Sequence, residues 1–302
     1  MKSLTIATRE SALALWQANF IKTELERLHP GLEVNLLGMR TRGDRWLNAP
    51  LREIGGKGLF IKELEEALLR GEAQLAVHSM KDLPAEMPDG FVLGAVGFRA
   101  DVRDVLVGVS NGVDALGTGA RVGTSSLRRQ AQLLARRPDL TIGSIRGNVG
   151  TRLDKLANGE FDAIVLAAAG LQRLGIELPA ASVLDVEDSL PAAGQGALGV
   201  ECLEAADDVL HLLAPLNDVC VARCVATERL VSAGLGADCS MPVAAHATII
   251  GDEVWLRALL ADARGVRVLR AEARDADGAV AASRVVQRLQ AEGAAEILDS
   301  LR

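Results

Sequence analysis

The chain has 302 residues, a formal net charge of -7, 49% hydrophobic residues and 3% aromatics with no tyrosine. That length and apolar content supply two or three packed cores, and the acidic balance excludes bulk binding to nucleic acid or anionic membrane. Base-stacking platforms are excluded by the scarcity of aromatics, and no apolar run approaches the roughly 20 residues of a membrane span.

From the N-terminus, Leu4–Thr8 reads as a strand, its apolar run being too short for a signal peptide. Ser11 to Leu28 reads as a helix stopped by His29-Pro30-Gly31, with Leu13, Trp16, Phe20 and Leu28 near one face. Leu32–Leu37 is strand-like, Leu59 to Arg70 a helix ended by Gly71, and Gln74–His78 a strand. The alternation continues with a strand near Arg121–Gly123, a helix from Leu127, a strand at Leu140–Ile145, a helix from Thr151 and a strand at Ala163–Ala167. Strands alternating with helices predict mostly parallel sheets with helices on their faces, hence two α/β domains of similar build. Residues 97–101 and 193–199 would connect them. The second segment reads equally as a hinge strand or as a plain glycine-rich loop. The last third differs: Asn217–Ala233 is helical, Val243–Ile250, Val254–Leu260 and Val266–Ala271 form an antiparallel meander, and Val280–Leu301 is one amphipathic helix. The expected domains are 1–98 plus 195–216, 99–194, and a small α+β domain at 217–302.

One device occurs twice. Gly123-Thr124-Ser125-Ser126-Leu127-Arg128-Arg129 and Arg146-Gly147-Asn148-Val149-Gly150-Thr151-Arg152 each put small or hydroxyl residues at a helix start and arginines in or beside the first turn. Free N–H groups and the positive dipole end favour an anion there, and arginine adds a bidentate grip on carboxylate or phosphate. Two such turns suggest a cleft for a ligand with several negative groups.

Gly55-Gly56-Lys57-Gly58 fails as a phosphate loop, because Leu51 and Gly58 stand where glycine and Ser or Thr are needed. His78-Ser79-Met80-Lys81-Asp82-Leu83-Pro84 follows a strand, at the end where open α/β sheets bind ligands. Alone, Lys81-Asp82 would be a surface turn stopped by Pro84. Beside the arginine turns it reads as a cation for an anionic substrate next to a carboxylate for developing positive charge. Cys202, Cys220, Cys224 and Cys239 show no Cys-x-x-Cys pair and the four histidines no ligand spacing, so no metal is expected. Without a paired framework the cysteines indicate a reducing compartment, the cytoplasm. Cys239, in the loop Leu235-Gly236-Ala237-Asp238-Cys239-Ser240, is a candidate nucleophile or attachment site.

Together with Ala7-Thr8-Arg9-Glu10-Ser11, Leu15-Trp16-Gln17, Thr41-Arg42-Gly43-Asp44, Gly55 to Phe60 and Gly194-Gln195-Gly196, these motifs span the chain, which resembles the porphobilinogen deaminase (hydroxymethylbilane synthase) family of tetrapyrrole biosynthesis. Ala237-Asp238 departs from the glycine pair usual before the family's cysteine. The resemblance implies two lobes like those of periplasmic binding proteins, a hinge and a third domain, in a cytoplasmic monomer. It implies a transferase that joins four porphobilinogen units head to tail with loss of ammonia. The growing chain would be held on a dipyrromethane cofactor linked through Cys239. By the same resemblance Asp82 is catalytic. Ser79, Lys81, Thr124, Ser126, Arg128, Arg129, Arg146 and Arg152 would hold the cofactor, and Arg9, Gln17, Arg146, Arg152, Arg173 and Gln195 the substrate. No nucleic acid, membrane or metal enters. The competing reading is a non-catalytic two-lobed receptor for a polycarboxylate or phosphorylated ligand, which has no use for Asp82 or a modified cysteine.

Overall fold

The computed structural model describes residues 2–41, 61–238 and 240–301. Residues 42–44, the segment Gly55 to Phe60 and Cys239, all named above, lie outside this set.

The first sheet is built from β1 (Ser3–Arg9), β2 (Glu33–Met39), β3 (Leu75–Ser79), β4 (Phe91–Gly97) and β10 (Leu198–Leu203), in the order β2-β1-β3-β10-β4. The second holds β5 (Asp104–Val107), β6 (Arg121–Gly123), β7 (Thr141–Gly143), β8 (Ala163–Ala167) and β9 (Ala181–Val183), in the order β7-β6-β8-β5-β9. Each sheet is mixed where a mostly parallel one is expected. In the first, β10 runs against both neighbours, and in the second β5 does. The reversed strand in each is the one entered directly from a crossover between lobes, so the chain arrives pointing the opposite way.

Helix α1 (Ala12–Leu28) starts where the Ser11 hydroxyl accepts from the Ala14 N–H at 3.3 Å. Its buried stripe is Gln17, Ala18, Ile21 and Leu25, which pack with Leu4, Ile6 and Leu75. Full burial of each such aliphatic side chain stabilises by about 1.5–3 kcal/mol. Leu13, Trp16, Phe20 and Leu28, on the neighbouring face, are half-buried, with Phe20 and Leu28 packed against the same core. α2 (Lys62–Leu69) covers the opposite face of the sheet through Leu64, Ala67 and Leu68. In the second lobe α3 (Leu127–Arg136), α4 (Val149–Ala157) and α5 (Ala168–Arg173) follow β6, β7 and β8. α6 (Asp207–Leu213) returns to the first lobe.

α7 (Val219–Gly234), β11 (Val243–Ile250), β12 (Glu253–Ala261), β13 (Val268–Asp275), α8 (Gly278–Ala291) and α9 (Ala294–Leu301) complete the chain. The meander is antiparallel, in register Val243 with Leu260 and Val254 with Asp275. β13 begins later than expected because the Asp262 carboxylate accepts from the backbone N–H groups of Arg264, Val266 and Arg267, leaving Val266 82% exposed in a turn. The predicted single C-terminal helix is two, broken where Gly293 takes φ +95°.

The outgoing crossover (97–101) and the returning one (193–199) lie side by side, the Ala100 N–H donating to the Gly196 carbonyl at 3.0 Å. Gly196 has φ +86°, and a Cβ there would sit 2.6 Å from the Ala100 oxygen. Gly196→Ala is therefore expected to cost more than about 1 kcal/mol in denaturant unfolding, since the conformation and the space both exclude a side chain. α7 braces this junction. Buried Glu228 accepts from Arg99 at 2.8 and 3.0 Å, from the Gly194 N–H at 2.7 Å and from the Ala247 N–H at 2.7 Å. One carboxylate thus joins both crossovers to the C-terminal sheet.

Candidate active site

The site residues gather at the carboxyl ends of parallel strands in both lobes. Arg9 ends β1, Ser79 ends β3, and the turn Met80–Asp82 follows it directly. In the second lobe, Thr124 to Arg129 follow β6, and Ser144 to Arg152 follow β7. Strand ends of this kind are where open α/β sheets bind ligands.

Local hydrogen bonds shape each turn. Gln17, buried on α1, donates to the Ser79 hydroxyl at 2.8 Å. Thr124 accepts from the Ser126 N–H at 3.2 Å, Ser126 caps α3, and Asn148 caps α4 by accepting from the Thr151 N–H at 2.9 Å. Ser125 ties the two turns together, donating to the Ile145 carbonyl at 2.7 Å and lying 3.0 Å from the Ser144 hydroxyl. The Arg152 Nε donates to the Gly147 carbonyl at 2.8 Å. Each turn is therefore rigid before any ligand arrives, the condition for preorganised binding.

The charges couple across the lobes. Burial, and then the Arg129 charge, push the half-buried Lys81 ammonium down to about 8, against the opposing pull of Asp82 and Asp104. Burial and the Arg129 charge likewise push the Arg152 guanidinium down to about 10, with Asp82 opposing and Arg146 adding to the fall. Arg152 still carries its charge at neutral pH. Lys81 and Asp82 belong to the first lobe and the arginines to the second, so the two sets of strand ends face one another. Asp82 itself is exposed to solvent.

Arg128 and Arg129 are buried and engaged with protein. Arg129 donates to Asp104 at 2.7 and 3.1 Å and to the Val165 carbonyl at 3.0 Å. Arg128 lies 2.9 Å from the other Asp104 oxygen and donates to the Leu190 carbonyl at 2.7 Å. Ser189 also donates to Asp104, at 2.9 Å. Burial alone would raise the Asp104 carboxyl, but the two guanidinium charges and their hydrogen bonds outweigh it and hold it well below the usual carboxylate range. Gln195, fully buried in the returning crossover, donates to Asp104 at 3.0 Å and to the Val102 carbonyl at 2.6 Å, and accepts from Arg128 at 3.4 Å. Arg173 lies at the hinge, donating to the carbonyls of Gly196 at 2.6 Å and Phe98 at 3.3 Å. Gln195 thus sits on Asp104 behind the arginines, in a segment that packs against the Met80–Lys81 turn through Gly194, and Arg173 holds the hinge carbonyls. Asp104, Ser189 and Glu228 have no counterpart in the sequence reading, since no local motif surrounds any of them, and Arg99 entered it only as part of the connecting segment 97–101.

Around Cys239, Asp238 holds the turn: its Oδ1 accepts from the Ser240 N–H at 2.8 Å and from the Ser240 hydroxyl at 2.5 Å. Phe98 is the one non-glycine among the described residues with positive φ, so Ala237 and Asp238 fit without strain.

A dipyrromethane bearing acetate and propionate groups fits these residues. Lys81, Arg128, Arg129, Arg146 and Arg152 outnumber the carboxylates Asp82 and Asp104, and burial together with the Arg129 charge already depresses Lys81, a shift that an anionic ligand opposes. Among the described residues no cluster of His, Cys, Asp and Glu suits a metal ion, and no single helix is long and apolar enough to cross a membrane.

Residues 4–211 match the family model "Porphobilinogen deaminase, dipyromethane cofactor binding domain", and residues 222–292 match "Porphobilinogen deaminase, C-terminal domain". A porphobilinogen deaminase of Thiobacillus denitrificans is 53% identical, covering 100% of this chain and 99% of its own. Among solved structures, the probable amino-acid transporter extracellular-binding protein ytmK of Bacillus subtilis is 12% identical over 72% of this chain and 90% of its own, with a TM-score of 0.45. The periplasmic aliphatic sulphonate binding protein SsuA of Escherichia coli is 14% identical over 69% of this chain and 64% of its own, with a TM-score of 0.40. On the full-length sequence match and the two family models, the chain belongs to the porphobilinogen deaminase family.

Proposed function

We propose that the chain is a hydroxymethylbilane synthase, a transferase that condenses four porphobilinogen units head to tail, releasing ammonia at each step. The observation that carries this reading is the exposed Asp82 carboxylate set among Lys81 and Arg152, with charges coupled across the two lobes. A receptor for polycarboxylates needs the cations but has no use for a carboxylate at their centre, so the binding-module alternative is the weaker one.

In this reading Arg146, Arg152 and Lys81 grip the acetate and propionate groups of bound pyrroles, and Ser79, Thr124 and Ser126 orient them by hydrogen bonds. Arg128 and Arg129 contribute field from behind, their side chains anchored on Asp104. When bound through Cys239, the dipyrromethane supplies the pyrrole end to which units are added. Asp82 stabilises the positive charge that develops on a pyrrole ring as ammonia leaves, and accepts or returns a proton at its Oδ atoms. We further read the protein as a cytoplasmic monomer; the buried free thiols of Cys202 and Cys224 support a reducing compartment.

The test is the intact mass of the denatured protein beside its Cys239→Ala variant, before and after incubation with porphobilinogen. An excess of two linked pyrrole units, absent from the variant, is expected. A folded protein that never gains mass would return the reading to a binding module. Lys81 adds a pH signature. Without a ligand its charge is present below about 8 and lost above it, so in the cofactor-free Cys239→Ala protein binding of porphobilinogen is expected to weaken on the alkaline side with that apparent pKa. Lys81→Arg should abolish the fall, and an unchanged alkaline limb in that variant would remove Lys81 from substrate binding.

A further inference from the structure

Arg229 lies on α7, the helix that leads into the loop carrying Cys239. Its side chain is half-buried, and its Nη1 is buried without a hydrogen-bond partner. No carboxylate among the described residues pairs with it, and burial alone pushes the guanidinium below its ordinary value. Glu228, the preceding residue, sits about 100° away round the helix. Its oxygens are committed to Arg99 and to the N–H groups of Gly194 and Ala247. A buried cation is costly to keep unless something compensates it.

The position of Arg229 indicates what that is. Val225, four residues earlier, packs with Ile61, Met80 and Leu83, and Ala222 lies against the same cluster. Residues three or four apart share a helix face, so Arg229 continues the stripe that α7 turns toward the first lobe. Met80 opens the turn that carries Lys81 and Asp82. At the level of Glu228 the same turn is still close, because Gly194, bonded to Glu228, closes directly on Met80 and Lys81. Beyond Arg229 the chain folds back over the end of the helix. The Gly236 N–H donates to the Ala233 carbonyl at 3.0 Å, and the Ala237 N–H to the Ser232 carbonyl at 2.9 Å. Arg229 therefore stands between the turn that holds Asp82 and the loop to which the cofactor is attached.

We propose that Arg229 binds a carboxylate of the tethered dipyrromethane, on the pyrrole nearest its attachment to Cys239. The inference rests on the deaminase reading and deepens it: the third domain supplies a charge for the primer as well as its point of attachment. A guanidinium matches the acetate and propionate groups of a pyrrole in shape and charge. The cost of the unpaired cation falls on the cofactor-free protein and is relieved when the carboxylate arrives. Removing the charge should therefore act in opposite directions on the empty protein and on loading, a pattern that a purely structural arginine does not give.

In the cofactor-free Cys239→Ala protein, Arg229→Met is expected to raise the unfolding temperature by about 2 °C or more, since an uncompensated charge leaves the interior. With Cys239 in place, the parent and its variants are prepared from cells that make no porphobilinogen, then incubated with it and followed by intact mass. Arg229→Met is expected to gain the two linked pyrrole units at least about tenfold more slowly than the parent. Arg229→Lys, which keeps the charge, should gain them at close to the parent rate. A lowered unfolding temperature for Arg229→Met in the Cys239→Ala background overturns the inference, because the arginine is then satisfied by the protein itself. Equal rates of mass gain in the parent and Arg229→Met, or a rate for Arg229→Lys as low as that of Arg229→Met, also overturn it and leave the deaminase reading intact. A parent that never gains mass overturns both.

Discussion

Asp82→Asn is expected to lower turnover by about 10²- to 10⁴-fold with KM changed only a few-fold, the range for losing a positioned acid–base group. Asparagine keeps the shape and the hydrogen-bonding reach of the side chain but removes the charge. The site then retains Lys81, Arg146 and Arg152 to hold carboxylates, and lacks the exposed Asp82 carboxylate that meets developing positive charge among them. A second effect has a definite sign. Asp82 raises the Lys81 pKa, so in the variant the alkaline fall should begin at a lower pH than in the parent. Single-turnover ammonia release at the parent rate would remove Asp82 from the chemistry.

Asp104→Asn is expected to destabilise the fold by about 3–5 kcal/mol, because it leaves two buried guanidinium groups without their counter-charge. The variant also weakens the contact of Gln195 with the start of β5. Denaturant unfolding measures the loss, and Arg128→Met in the Asp104→Asn background should recover part of it, since one of the unpaired charges is then gone. The pH dependence follows from the depressed carboxyl. Its contribution is fully present above the ordinary aspartate value of 3.8 and is lost as pH falls below that toward the folded-state value. The parent and the variant should therefore converge in stability in strong acid. A variant as stable as the parent at neutral pH would show that the pair is solvated.

What the sequence revealed of this fold depended on how local each signal is. β8 and the start of α3 appear where expected, because Ala163–Ala167 is a bounded apolar run and Ser126 is a capping residue just ahead of Leu127. β4, β5, β9 and β10 have no counterpart in the sequence reading, and β5 and β9 are only 4 and 3 residues long. Val105, Leu106 and Val107 are all buried, so they carry no alternation to read. The C-terminal helix was joined across Glu292-Gly293 because apolar spacing continues through the break. The site divides in the same way. Lys81, Asp82 and the two arginine turns sit in contiguous motifs, and the family resemblance attached roles to them. Asp104 meets Arg129 across 25 positions and Glu228 meets Arg99 across 129. Nothing short-range marks such partners, and tertiary packing alone brings them together.

The interior position of β10 sets an order on assembly. It pairs with β3 and β4, Val200 facing Val77 on one side and Ala95 on the other. The second sheet draws all its strands from one uninterrupted stretch, whereas the first must wait for residues made after the second lobe has emerged. Until then β3 and β4 have an empty lane between them, with backbone donors and acceptors unpaired and the apolar surface of Val77 and Ala95 uncovered. During synthesis the inserted lobe can close on itself, while the lobe that begins the chain stays open to aggregation and to chaperones for the whole time the insertion takes to make.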